Sequence, residues 1–385
     1  MITETIKGFR DITGEQAKKR EKIRSILKKK FELYGFEPAE TPIIEGEDFV
    51  KGDNSKDEAV SDIFKLEDKG KRKLALRYEL TFQLKRLAIN KKLPYKVYRI
   101  GEVFRDEPTT SNRFRQFTQC DIDTIGATIK DEAEILALAS EALLELGISP
   151  EICINSRKLL NEILEKEGIK EKDRVIIEID KLDKLPESQI KENLKKYKAE
   201  KILDIFKKQQ SYFKKYEAYK EVEELIKYCN LYNTKVEFRP FLARGLSYYN
   251  GNVFEIKTRG VKETIFGGGT YPTNGINSTG ASFGLDRIEQ LAKPAMANQK
   301  VLIISIGKDK EAINFAQLLR KNNIPAVFLS GKPSKALEYA NSQGIDKIIF
   351  IGEDEAKKGK FKLRDMKTGK EEMLKEKEVI EKLSD

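Results

Sequence analysis

The stretch from Tyr98 to Gln119 holds residues that could grip a nucleoside triphosphate. Arg105, Arg113 and Arg115 supply guanidinium groups for phosphates, Phe117 a flat ring for a base, and Glu107 a carboxylate for an amine or a metal. Taken alone, Phe117 fits a core position as well as a stacking platform. The pattern predicts a strand, a basic and polar loop, and a second strand: one hairpin spanning roughly 96–126. Arg105 and Glu107 then fall at the end of the first strand, on one face by the two-residue period. An exposed pair of that kind is worth little as a salt bridge. A cluster of guanidinium groups is costly unless it meets anions.

Two further segments carry related chemistry. Arg244 stands between Leu242 and Leu246 and ahead of Tyr248 and Tyr249, a setting that places it in a cleft. If that segment is a strand, the two tyrosines point to opposite faces. Gly280-Ala-Ser-Phe-Gly-Leu-Asp-Arg287 reads as a strand entering a helix with an arginine at its start. The run Gly267-Gly-Gly269 either lets a backbone approach a ligand or marks a bend.

Composition narrows the chemistry further. The 385 residues include no histidine, so Ser-His-Asp hydrolases, Cys-His proteases and most zinc hydrolases are excluded. The lack of histidine also argues against a His/Cys zinc site, and the three cysteines, Cys120, Cys153 and Cys229, form no CxxC pair. Phosphate-centred chemistry survives, because it needs mainly positioning and charge neutralisation. The net charge of +10 suits a polyanionic partner such as RNA, although a Lys/Glu-rich surface gives the same balance. The thiols suit a reduced, cytoplasmic protein. No apolar run is long enough to span a membrane, and the first residues hold no secretory apolar segment.

The chain length predicts two or three domains. Residues 15–34 have helical periodicity and stop at Gly35. Pro38 and Pro42 confine the next, extended piece to an edge, a strand start or an interface. Residues 47–62 read as a loop, 63–66 and 73–77 as a hairpin, 79–90 and 131–146 as helices, and 152–155 as a strand. Residues 158–232 are helical and Lys/Glu-rich: an insertion into a β-rich domain, or a helical half of it. Strands resume at 236–238, 253–256, 263–266 and 278–284. A linker at 293–300 leads to a βαβαβ alternation, a small parallel sheet.

These segments together resemble a class II aminoacyl-tRNA synthetase, and the histidyl-tRNA synthetase family in particular. The three class II motifs occur in order, in Gly35–Pro42, in the arginine-bearing hairpin and in Gly280–Arg287. Lys7-Gly-Phe-Arg-Asp11 resembles the family's KGxRD, Leu76–Thr81 its LRPE/D-x-T segment, Arg244–Tyr249 its RGLDYY signature, and Gly268–Tyr271 its GGRYD signature. The resemblance implies an α+β fold: a class II antiparallel-sheet catalytic core with a helical insertion, plus a C-terminal α/β anticodon-binding domain. The implied domains are 1–157 for the core, 158–233 for the insertion, 234–296 for the core continued and 299–385 for anticodon binding. It also implies ATP with Mg2+ carried on its phosphates, L-histidine and tRNA(His) as partners, and a homodimer.

The same resemblance implies roles. Arg105 and Arg244 would be catalytic, on opposite sides of the α-phosphate, with Arg105 also on the amino-acid carboxylate. Glu79, Leu80, Thr81 and Gln119 would line the histidine site, with Glu79, Thr81 and Gln119 on the α-amino group. Asp123 and Tyr249 would face the imidazole, beside Tyr248. Glu107, Arg113, Phe117 and Arg287 would bind ATP. An imidazole has two ring nitrogens to satisfy, and an aspartate with a tyrosine hydroxyl can do so.

Four positions depart from the family pattern. Ser247 and Pro272 stand where it has Asp, Thr270 where it has Arg, and Thr118 where many members have His. Ser247, Thr270 and Pro272 are expected to alter the wall of the histidine pocket. Two alternatives share this fold: the regulatory subunit of ATP phosphoribosyltransferase, which usually lacks an anticodon domain, and a synthetase-like RNA-binding protein. Residues 301–385 and the intact Arg105, Arg244 and Arg287 set argue against the first.

Overall fold

The computed structural model describes residues 3–52, 58–110, 113–183, 185–245, 248–295 and 300–384. Leu246 and Ser247, part of the expected 47–62 loop and part of the 293–300 linker lie outside the described residues. The chain divides into two compact units, Met1–Pro294 and Ala295–Asp385.

Among the described residues sixteen strands, β1 to β16, follow one another along the chain. The first unit holds β1 (Glu37–Pro38), β2 (Ile44–Gly46), β3 (Lys65–Glu67), β4 (Lys73–Leu76), β5 (Tyr95–Phe104), β6 (Gln116–Ile125), β7 (Glu151–Ser156), β8 (Val236–Phe238), β9 (Asn252–Thr258), β10 (Val261–Thr273) and β11 (Ile276–Gly284). The second holds β12 (Val301–Ser305), β13 (Ala326–Ser330), β14 (Lys347–Ile351), β15 (Lys360–Asp365) and β16 (Glu371–Lys375).

An eight-stranded sheet in the order β1-β5-β6-β11-β10-β9-β7-β8 frames the first unit. Its middle is antiparallel, and its two edge pairs, β1 with β5 and β7 with β8, are parallel. The central hairpin runs in continuous register from Tyr95 opposite Ile125 to Phe104 opposite Gln116. Alternation along β6 decides what each face becomes. Cys120 and Ile122 enter an apolar core with Ile23, Leu27 and Phe31 of the helix Gly14–Leu33 and Leu136 and Leu143 of the helix Ile129–Glu145. Gln119, Asp121 and Asp123 point the other way, into a cavity.

The helix Gly14–Leu33 stops where Gly35 takes φ +79, the left-handed conformation that suits glycine after a helix end. Pro38 sits in β1 at the sheet edge, where it deprives no neighbour of a ladder hydrogen bond. Parallel neighbours β7 and β8 need a long crossover, and the helical stretch 157–231 supplies it. Leu160, Val175, Leu194, Phe213 and Val222 of that stretch share the apolar core of the sheet.

Three local expectations change. Short helices at Glu47–Lys51 and Glu58–Ser61 occupy ends of the region read as a loop. Within 79–90 only Leu84–Leu87 is α-helical, because Glu79 and Thr81 are turned into the cavity and the Leu80 carbonyl accepts a hydrogen bond from Arg99. The first strand of the central hairpin ends at Phe104, so Arg105 and Glu107 sit on the loop beyond it rather than on a strand face.

In the second unit β13-β12-β14 are parallel, and β15 and β16 extend the sheet in antiparallel fashion. Helices cover both faces: Phe315 and Leu319 pack on Ile303 and Ile349, and Ala336 and Ala340 on Leu302 and Ile348. The three cysteines are free and buried. Among the described residues no helix is long and apolar enough to cross a membrane.

Candidate active site

A cavity of about 840 Å³ opens on the face of the large sheet opposite the helix Gly14–Leu33. One end is cationic. Arg105 and Arg113 come from the loop after β5, Arg244 from the irregular segment before β9, and Arg287 from the helix Leu285–Leu291 that follows β11. Burial lowers the Arg287 pKa, and the charges of Arg113, Arg105 and Arg244 lower it further against the opposing Glu263. Four guanidinium groups from three segments therefore share one field.

Each is held differently. Arg105 donates through Nε to the Tyr78 carbonyl at 3.1 Å, and its guanidinium lies 5.2 Å from the centre of the Phe117 ring. Arg113 forms an ion pair with Glu107. Arg287 Nη1 donates to the Thr264 carbonyl at 2.6 Å. Arg244 Nη1 donates to Glu255 Oε1 at 2.6 Å, while its Nε is buried without a hydrogen-bond partner. Burial opposes the Arg244 charge, but Glu255, Tyr249 and Asp180 around it together raise its pKa. Arg115 does not line the cavity: it pairs with Asp106 at 3.0 Å.

The floor is acidic and polar. Glu79 Oε1, Gln119 Oε1 and Asp121 Oδ1 are buried without hydrogen-bond partners, an arrangement that suits a cationic donor. Gln119 Nε2 donates to Ser282 Oγ at 3.1 Å, and the Tyr248 hydroxyl donates to Glu79 Oε2 at 3.4 Å. Burial pushes the Glu79 and Asp121 carboxyls up to about 7, despite Arg105 beside the first and Arg99 beside the second. Thr81 lines the same region. Leu80 does not: its side chain is buried away from the cavity.

Asp123 lies deeper. It is ion-paired with Arg99 and accepts a hydrogen bond from the Tyr271 hydroxyl. Gly280, opposite it on β11, leaves the room: a Cβ there would stand 2.6 Å from Asp123 Cγ. Tyr248, Tyr249 and Tyr271 form a ring cluster with centroids 4.8, 5.4 and 6.4 Å apart. The segment around Tyr248 and Tyr249 is irregular rather than a strand, so both rings face the cavity instead of opposite sides. The glycine run lies inside β10, where the missing side chains admit Arg244 at Gly267 and the Tyr249 ring at Gly269.

Three of the departures sit away from the cavity. Alternation along β10 turns Tyr271 inward and Thr270 to the opposite face, where its Oγ1 donates to Glu132 at 2.6 Å. Pro272 is exposed near the end of β10. Thr118 Oγ1 accepts from Arg20 at 2.9 Å and donates to Glu102 at 3.0 Å. Asp121, Ser282, Tyr271 and Glu255 were not among the expected site residues, though all line the cavity. Asp121 had a readable signal, because Gln119, Asp121 and Asp123 follow one another at the two-residue step of a strand.

The order of the three motif segments along the chain, and the antiparallel sheet that brings the second and third of them to one cavity, are those of the class II aminoacyl-tRNA synthetases. Comparison with known proteins narrows this. The family described as Histidyl-tRNA synthetase matches residues 8–288, and the Anticodon binding domain matches residues 300–385. The chain is 34% identical over 414 residues to histidine–tRNA ligase 2 of Shouchella clausii (strain KSM-K16), covering 96% of this chain and 97% of that one. In structure it is similar to histidyl-tRNA synthetase from Nostoc sp. PCC 7120, with a TM-score of 0.87, 24% identity and 100% and 99% of the two chains covered. It is also similar to an ATP phosphoribosyltransferase regulatory subunit/histidyl-tRNA synthetase from Bacillus halodurans, with a TM-score of 0.76, 22% identity and 91% and 98% covered. The chain belongs to the histidyl-tRNA synthetase family.

Proposed function

We propose that this chain is a histidine–tRNA ligase, acting in the cytoplasm on L-histidine, ATP and tRNA(His). The observation that carries the reading is the pairing, in one cavity, of four converging guanidinium groups with three unpartnered buried acceptors. An amino acid and a nucleotide need those two environments side by side.

In the first step a carboxylate oxygen of histidine attacks the α-phosphorus of ATP. The bond from that phosphorus to the bridging oxygen breaks, and pyrophosphate leaves. Arg105 and Arg244 neutralise the charge that develops on the α-phosphate, and no protein nucleophile is required. Glu79, Thr81, Gln119 and Asp121 hold the α-ammonium. Asp123, ion-paired with Arg99, would act with Tyr271 and Tyr249 around the imidazole nitrogens. Glu107, Arg113, Phe117 and Arg287 hold the nucleotide, with Phe117 against the adenine. In the second step a ribose hydroxyl of the tRNA attacks the acyl carbon, and AMP leaves.

Mg2+ fits this site as an ion that arrives with ATP. Among the described residues no three His, Cys, Asp or Glu side chains stand together as a cage, and Mg2+ is commonly bound through substrate phosphates and one or two carboxylates. Glu107, beside Arg113, would be the protein's contribution. The ion would screen the phosphate charge. The family also implies a homodimer, for which Pro38 and Pro42 near the β1 edge are the candidate contact.

Amino-acid-dependent exchange of pyrophosphate into ATP, run with each of the twenty amino acids, tests the reading. Exchange with histidine followed by charging of tRNA(His) is expected. Exchange with none would favour a regulatory paralogue of the kind named in the Bacillus halodurans structure.

A further inference from the structure

We propose that Arg10 is a positioning residue that fastens residues 113–116, where the chain enters β6, to the helix Leu285–Leu291 and so sets the ATP end of the cavity; this rests on the nucleotide reading given above. Arg10 Nη2 donates to Asp286 Oδ1 at 2.7 Å, one residue before Arg287. The flat face of the same guanidinium covers the Phe114 ring, with Cζ 3.8 Å from the ring centre. Phe114 lines the cavity and follows Arg113 directly. Two residues before Arg10, the Gly8 carbonyl accepts from the backbone N–H of Arg115 at 3.0 Å and of Gln116 at 3.4 Å. A Cβ on Gly8, whose φ is +90, would stand 2.7 Å from Arg115 Cγ. Residues 8–10 thus lie between the loop that carries Arg105 and Arg113 and the helix that carries Arg287.

The helix does not need Arg10 to stay in place. Asp286 Oδ1 also accepts from Arg20 Nη1 at 2.9 Å, and Asp286 Oδ2 accepts the Thr118 backbone N–H at 2.9 Å. Arg20 reaches on to Glu289 at 3.2 Å. With Arg10 removed, Asp286 keeps two donors and stays anchored, while Phe114 loses its cover. The arrangement uses a property of arginine that lysine lacks: a planar group can donate in its plane and stack through its face at once. An ion pair alone would be served by either residue.

That difference provides the test. ATP affinity of the full chain is measured by equilibrium titration for the wild type, R10A, R10K, F114L, F114Y and R10K/F114L. KM for ATP and for histidine in pyrophosphate exchange, and amide hydrogen exchange across residues 113–117, are measured alongside. The expected result is that R10A, R10K and F114L each weaken ATP binding about tenfold. KM for histidine holds, the loop amides exchange faster, F114Y stays near the wild type, and the double variant is no worse than its parents. The proposal is overturned if R10K restores ATP affinity that R10A lacks, if ATP and histidine weaken together, if the single losses multiply in the double variant, or if ATP affinity does not change. A wild type that binds ATP without histidine-dependent exchange removes the ligase reading and leaves this test intact. A wild type that binds no ATP removes both.

Discussion

Arg244 lies flat on the backbone of Gly267, so close that a methyl group on residue 267 would stand 2.8 Å from its Cζ. The strand is bare at that point because the guanidinium occupies the space a side chain would fill. Glu255, on the neighbouring strand β9, fixes the in-plane direction through its hydrogen bond to Nη1. A strand glycine and a strand acid thus aim one cation.

Gly267→Ala follows directly. The φ of Gly267 is not in the left-handed region, so the backbone accepts alanine and the strain falls on Arg244. Displacing a reacting-centre cation by about 1 Å costs on the order of a hundredfold in rate. Pyrophosphate exchange by Gly267→Ala should fall by that order in kcat, with a lower melting temperature as Nη1 is pushed off Glu255.

Glu255→Gln tests the other half of the clamp. The neutral amide leaves Arg244 partly uncompensated, and losing a hydrogen bond to a charged group costs about 1.5–3 kcal/mol. We expect a lower melting temperature and a drop in kcat larger than the change in KM for histidine. Unchanged kinetics would detach Glu255 from the site.

The pH profile should report the floor carboxyls. Burial holds Glu79 and Asp121 at about 7, so both are largely protonated at pH 6 and ionised at pH 8. Histidine carries its α-ammonium across that range, so KM for histidine should rise as pH falls through 7. Glu79→Gln should flatten part of the rise. In the empty protein the sign is opposite. A carboxyl whose folded pKa lies above its ordinary 4.5 lends stability below that pH and loses it as pH climbs through about 7. The shift in melting temperature on adding histidine should therefore be larger at pH 8 than at pH 6.

Thr270 is expected to matter to stability alone. Its hydroxyl serves Glu132, which Asn252 also holds at 2.7 Å and which burial pushes up to about 7. Thr270→Val leaves an acceptor unpaired in the core, a loss of about 1–3 kcal/mol in denaturant unfolding. KM for histidine should not move, because Tyr271 and not Thr270 faces the cavity.

Strong periodicity made much of this fold legible. The unbroken apolar run Val301–Ile304 and the spaced apolar residues of Ala312–Leu319 announced the second unit's parallel strands and their helices. The charged hairpin of β15 and β16 was missed because no apolar run marked it. Around the site, arginines were easy to find by type and hard to place by pattern. Arg105 and Arg115 sit on one loop, yet one enters the cavity and the other pairs with Asp106 outside its lining. Tyr248 and Tyr249 broke the strand rule because the chain there follows the surface of the cavity rather than a ladder. Arg99 and Asp121 are cross-strand neighbours, and such register only emerges once β5 and β6 are paired.

A crystal structure of the protein with a non-hydrolysable histidyl-adenylate analogue tests the central claim most directly. The account predicts the phosphate mimic between Arg105 and Arg244, the α-ammonium on Glu79, Gln119 and Asp121, and the imidazole between Asp123 and the tyrosine cluster. An analogue bound elsewhere, or one whose phosphate touches neither arginine, would contradict it.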